Sequence, residues 1–107
     1  MEIKQNEIVL VNLDPVIGSE IKKTRQCLVI SPDVMNRHLR TIVVTPLLTD
    51  SKNYPTRIEI RHDKMTYMVA LDQVRTIDRR RIMQVLGRLS KPEIKEIRAI
   101  LKEIYID

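Results

Sequence analysis

The sequence predicts an α+β domain: a small, strongly bent β-barrel or sheet of five to six short strands, closed on one side by a C-terminal helix. Two observations predict it. The hydrophobic segments are short and mostly β-branched until about residue 90, which suits strands. The apolar spacing then changes from two to three and four, the period of one helix face. With 107 residues the chain fits a single domain, 1–107, long enough to bury a core without disulfide or metal staples. Its 43% hydrophobic and 31% charged residues place it among folded chains rather than disordered ones.

Ile8-Val9-Leu10-Val11-Asn12-Leu13 reads as the first strand, ended by Asp14-Pro15. A polar loop over 14–24 follows, with Gly18 at its apex and Lys22-Lys23 on its return. Cys27 to Ser31 is the second strand, stopped by Pro32-Asp33, which can open one helical turn through Asn36. Thr41 to Thr45 is the third, closed by Pro46, and a second polar loop runs to Tyr54-Pro55. Arg57-Ile58-Glu59-Ile60-Arg61 alternates as a half-exposed strand should. Tyr67 to Leu71 makes a fifth strand, and Val74 to Ile77 adds a short sixth. Ser90-Lys91-Pro92-Glu93 is a capping-box pattern, and Ile94, Ile97, Leu101 and Ile104 line one face of the helix it starts.

Composition excludes several kinds of chemistry. The one cysteine, Cys27, stands in an apolar run and reads as a small buried hydrophobe. His38 and His62 stand alone, without ligand spacing, so no metal or other cofactor is expected. No apolar stretch approaches the ~20 residues of a membrane span, and the N-terminus carries no apolar targeting segment. The expected location is the cytoplasm, with no membrane partner. The formal charge of +5 permits a polyanionic partner, and the excess gathers at Lys22-Lys23-Thr24-Arg25 and Arg79-Arg80-Arg81. The second cluster is most simply a solvated helix start.

Loops on a rigid sheet are where function tends to sit. The first loop offers Ser19, Glu20, Lys22 and Arg25, and the second offers Thr49, Asp50, Ser51 and Lys52. Arg25 directly precedes an apolar strand, where water only partly reaches a guanidinium. Two readings are open: an ion pair with Glu20, Asp72 or Asp78, or a fork that grips phosphate oxygens in pairs.

Taken together, Asp14-Pro15, Gly18-Ser19-Glu20, Thr24-Arg25, Leu28 to Pro32, Asn36, Pro46, Ser51 to Pro55, Leu71 to Asp78 and Leu86 to Ser90 resemble the MazF/PemK toxin family. The order and spacing of these short motifs carry the resemblance, which runs from about residue 7 to residue 104. It implies a small bent barrel of the CcdB/PemK type. It further implies a homodimer that cuts single-stranded RNA at short preferred sequences without a metal ion, and that an antitoxin chain inhibits. The reaction implied is attack of a ribose 2′-hydroxyl on the adjacent phosphate, leaving a 2′,3′-cyclic phosphate and a 5′-hydroxyl. In the family the arginine matching Arg25 stabilises charge and transfers protons, paired with a threonine two residues after the proline of the third strand. Ser19, Glu20, Lys22, Ser51, Lys52, Asp72, Gln73 and Arg75 are the RNA-binding residues the resemblance implies. Asp72 and Gln73 are suited to reading base edges.

The chain departs from the family pattern in three places. Leu48 stands where the threonine is usual, Gln26 where proline follows the arginine, and Thr66-Tyr67-Met68 where a turn glycine is common. Leucine neither donates nor accepts a hydrogen bond. Either Thr49 takes the missing role, or the chain is a weakened or inactive member that binds RNA or antitoxin. A related branch of this fold type poisons DNA gyrase, but no residue here favours a protein target.

Overall fold

A computed structural model describes residues 1–13, 23–49, 52 and 54–106. Within them the expected α+β architecture is present: seven antiparallel strands in one curled sheet, with a long C-terminal helix against it. The strands are β1 (Glu7–Asn12), β2 (Thr24–Val29), β3 (Thr41–Leu48), β4 (Arg57–His62), β5 (Met65–Ala70), β6 (Arg75–Asp78) and β7 (Ile82–Arg88). The helices are α1 (Asp33–His38) and α2 (Lys91–Tyr105). The order across the sheet is β4-β5-β3-β2-β1-β7, with β6 paired to the upper part of β3.

Strand β3 is the joint of the fold. Its first half pairs with β6, ending at Val44 opposite Arg75. Its second half pairs with β5, beginning at Leu47 opposite Val69. Pro46 therefore does not close the strand as its sequence position predicts. It falls in the interval where one neighbour has left and the next has not begun, so its missing amide costs that side no ladder bond. Across the other edge it stands opposite Cys27. The buried Thr45 hydroxyl donates to the Ala70 carbonyl and ties the joint to the end of β5.

Other boundaries differ from expectation as well. β2 starts at Thr24, because Gln26, Arg25 and Thr24 pair with Leu10, Val11 and Asn12 of β1. β5 starts at Met65, because the loop before it has only two residues, Asp63 and Lys64. Both have positive φ, 52° and 64°, the backbone of a tight type I′ hairpin. Leu71 opens a 3₁₀ turn, Leu71–Gln73, instead of ending the strand. The seventh strand, β7, was not expected at all. It pairs with β1 through two register shifts, so its side chains do not alternate cleanly between buried and exposed.

The sheet buries apolar side chains on both faces. Under α2 lie Ile8, Leu28, Ile60, Val69 and Leu71, with Ile97 as the one buried residue of the helix and Ile94, Leu101 and Ile104 packed beside it. The opposite face gathers Val9, Val11, Val29, Ile42, Val44 and Ile77. The capping box forms as predicted: the Glu93 amide donates to the Ser90 hydroxyl at 3.4 Å, and the Ser90 amide donates to Glu93 Oε1 at 2.9 Å. Glu93 also accepts from the Arg61 amide of the outer strand β4 at 3.3 Å. The far end of β4 folds over β7, where a Cβ on Gly87 would come within 2.8 Å of the His62 ring.

The Arg79–Arg81 cluster is a 3₁₀ turn, not a solvated helix start. Arg79 donates to the Asn36 and Leu39 carbonyls at 2.7 and 2.9 Å, filling acceptors left open at the end of α1. Arg80 pairs with Asp78, whose carboxyl is held down at about 2 chiefly by that contact. Arg81 donates to the Asn12 carbonyl. The Arg79 and Arg81 guanidinium groups thus brace the backbone of neighbouring elements.

Candidate nucleic-acid interface

A cleft of about 820 Å³ lies where β2 runs past the end of β3 and faces the β4–β5 hairpin. Arg25, Leu48, Thr49 and Lys52 line it, and so do Gln26, Tyr54 and Arg57. Arg25, Lys52 and Arg57 line this cleft, the charge of Arg57 being balanced by Asp72 behind the lining, and no carboxylate lines it among the described residues. Such a wall attracts anions and focuses their field.

Arg25 is exposed near the start of β2. Among the described residues it has no carboxylate partner, because two of the three candidates are engaged elsewhere: Asp72 with Arg57 and Asp78 with Arg80. Glu20 lies outside the described residues, as do Ser19, Lys22 and Ser51. The expected partial shielding of Arg25 from water is not seen, since the strand begins earlier and carries Arg25 out past the apolar run.

Leu48 ends β3 half-buried, and Thr49 follows it, exposed, at a bend. Both line the cleft that Arg25 lines. Strict alternation would turn neighbouring side chains to opposite faces, but Thr49 is already beyond the strand. The structure thus brings Arg25, Thr49 and Lys52 together. It does not bring Asp72, Gln73 or Arg75 into the cleft wall. Gln73 is exposed on the 3₁₀ turn. Arg75 is exposed on β6 and, with Arg25, lies near enough to the Cys27 thiol to act on it electrostatically.

Asp72 has a structural role. Its Oδ1 accepts from Arg57 Nε at 3.2 Å and from the Thr56 hydroxyl at 3.1 Å, and its Oδ2 accepts from Arg57 Nη2 at 3.3 Å. Arg57 holds the Asp72 carboxyl below the ordinary carboxylate range. The same guanidinium stacks on the Tyr54 ring, 4.9 Å from its centroid. Sequence reasoning missed Tyr54 and Arg57. A signal was present: a proline after Tyr54 favours a β-turn, which sets residues three apart side by side.

Cys27 is buried, and burial pushes its thiol up to about 11, although Arg25 and Arg75 pull the other way. At pH 8 the native thiol should resist iodoacetamide, and denaturant should expose it to fast alkylation. Equal rates in both conditions would show that the face of the sheet opens readily. A thiol of raised pKa also favours the folded state less as pH climbs from the unfolded value near 9 toward 11, so alkaline titration should erode stability in that window. Among the described residues no three His, Cys, Asp or Glu side chains converge as a metal site. No helix of the described residues is long and apolar enough to cross a membrane.

Comparison with known proteins accords with the fold. The structure of MazE–MazF from Deinococcus radiodurans superposes with a TM-score of 0.81 at 23% identity, covering 97% of this chain and 96% of that one. An endoribonuclease in complex with its cognate antitoxin, from a mycobacterial species, superposes with a TM-score of 0.80 at 19% identity, covering 94% and 92%. Endoribonuclease MazF of Staphylococcus epidermidis is 31% identical over 102 residues, which span 89% of this chain and 84% of the relative. The sequence profile of the PemK-like, MazF-like toxins of type II toxin–antitoxin systems matches residues 4–105, and the chain belongs to that family.

Proposed function

We propose that this toxin is a metal-independent, sequence-selective endoribonuclease. It cuts single-stranded RNA through a 2′,3′-cyclic phosphate and is held in check by a cognate antitoxin protein. The observation that carries this reading is the convergence of Arg25, Thr49 and Lys52 on one cationic cleft without a carboxylate among the described lining residues. Family membership and the endoribonuclease relative support it.

The reaction is a transesterification. The 2′-oxygen bonds to phosphorus, the bond from phosphorus to the 5′-oxygen breaks, and one proton leaves the 2′-hydroxyl while another reaches the 5′-oxygen. Negative charge builds on the non-bridging oxygens between these events. A guanidinium offers paired donors to those oxygens, which is the role assigned to Arg25. The Thr49 hydroxyl can both donate and accept, and so can hold one of the oxygens in line. Lys52 suits a neighbouring phosphate, and Ser19, Glu20, Lys22 and Ser51 belong to the same RNA groove in this reading. Asp72 serves it through Arg57. Gln73 and Arg75 extend the binding surface beyond the cleft. The working form is a homodimer, as the family resemblance implies.

A second reading rests on Leu48, which presents an apolar side chain to the cleft. In that reading the chain binds RNA or antitoxin and cuts poorly. The deciding experiment is incubation of purified protein with a long, mixed-sequence single-stranded RNA in EDTA. Cuts at a few sites with cyclic-phosphate ends are expected. Absence of cuts at any concentration, with folded protein that still binds RNA or antitoxin, would put the second reading in place of the first. A large gain from Leu48→Thr would then locate the defect.

A further inference from the structure

We propose that Tyr54 is a base-stacking platform, preassembled by Arg57 and Asp72, that holds one nucleobase of the bound RNA beside Arg25. This rests on the RNA reading above and names a contact within it.

The sequence builds the platform locally. The Arg57 amide donates to the Tyr54 carbonyl at 3.0 Å, closing a β-turn with Pro55 and Thr56 at its centre. Proline fixes φ at the second turn position, so the turn is set before any ligand arrives. The turn brings the first and fourth side chains together, and the Arg57 guanidinium takes one face of the Tyr54 ring. Two bonds to Asp72 then fix the guanidinium, and the Thr56 hydroxyl fixes Asp72 in turn. The Leu71 amide donates to the Thr56 carbonyl at 3.2 Å, which pins the turn to the 3₁₀ turn that carries Asp72.

The result is an aromatic ring that is 47% exposed and yet oriented. An exposed tyrosine normally keeps its rotamer freedom and loses it on binding. Here the ring is ordered in advance by the guanidinium on one of its faces, and it lines the cleft. Of the two tyrosines on that wall, Tyr67 is buried in the core and cannot offer a ring face, so Tyr54 is the one able to stack. Stacking tolerates any base, because each has a π-face, and favours the larger purines by area. The site therefore ranks nucleotides by size, and discrimination between bases of one size comes from elsewhere.

The test uses a short single-stranded RNA spanning a mapped cut, with 2′-deoxy sugar at the scissile nucleotide so that it binds without reacting. A set of such RNAs, each with one abasic nucleotide, is titrated against the wild type, Tyr54→Phe, Tyr54→Leu and Asp72→Asn. One abasic position should weaken wild-type and Tyr54→Phe binding by about ten-fold. The same position should cost Tyr54→Leu less than two-fold, and Asp72→Asn an intermediate amount. Purine should bind better than pyrimidine at that position in the wild type and in Tyr54→Phe, and not in Tyr54→Leu. An abasic profile unchanged by Tyr54→Leu would overturn the platform and leave the nuclease reading standing. A wild type that binds none of the RNAs would remove both.

Discussion

Arg25→Ala is expected to slow RNA cleavage by about 10²–10³-fold, the loss usual for one preorganised charge-stabilising donor. The fold should be untouched, since Arg25 is exposed and, among the described residues, makes no ion pair. Binding should weaken far less than cleavage. RNA affinity should also fall as salt rises, with a slightly smaller slope in the variant, because one fewer phosphate contact releases fewer counterions. Single-turnover cleavage and salt-dependent binding of the two proteins check this together. Arg25→Lys should rescue little, because an ammonium retains the charge but lacks the paired, planar donors. Full activity in Arg25→Ala would move the chemistry to another cation of the cleft, Lys52 or Arg57.

Ile97→Ala should lower stability by about 2–5 kcal/mol, the cost of deleting a large buried aliphatic and leaving a cavity. Ile97 is the single buried residue of α2, at 1% exposure, and it packs where the helix meets Leu28, Val69 and Leu71. The midpoint of urea unfolding should fall while the slope stays constant. A loss below about 1 kcal/mol would mean that the sheet holds its shape without the helix.

Much of this molecule was legible in its sequence, for identifiable reasons. The helix announced itself through Ser90, Glu93 and the spacing of Ile94, Ile97, Leu101 and Ile104. The strands with β-branched runs did likewise. Pro46 misled because a proline normally ends a strand, and only the change of partner along β3 makes it harmless there. β7 stayed hidden because its two register shifts against β1 destroy the alternation by which strands are found. In the cleft, Arg25 could be picked out from family motifs, and Thr49 only as the hydroxyl next to the family's threonine position, which Leu48 occupies. The contact of Arg57 with Asp72 could not, because it needs the β4–β5 hairpin to bring them together. The same hairpin shows why Asp72 stands back from the cleft: its two oxygens already face a guanidinium and a hydroxyl.

An outer strand with open amides invites other chains to add themselves to the sheet, the route by which many β proteins aggregate or capture extended peptides. On β4 the Arg61 amide is already occupied by a carboxylate that also starts the helix. Helix initiation and the cover of that edge amide therefore depend on a single side chain. A change at Glu93 would loosen the helix start and open the strand at once, leaving a protein less stable and stickier in the same step.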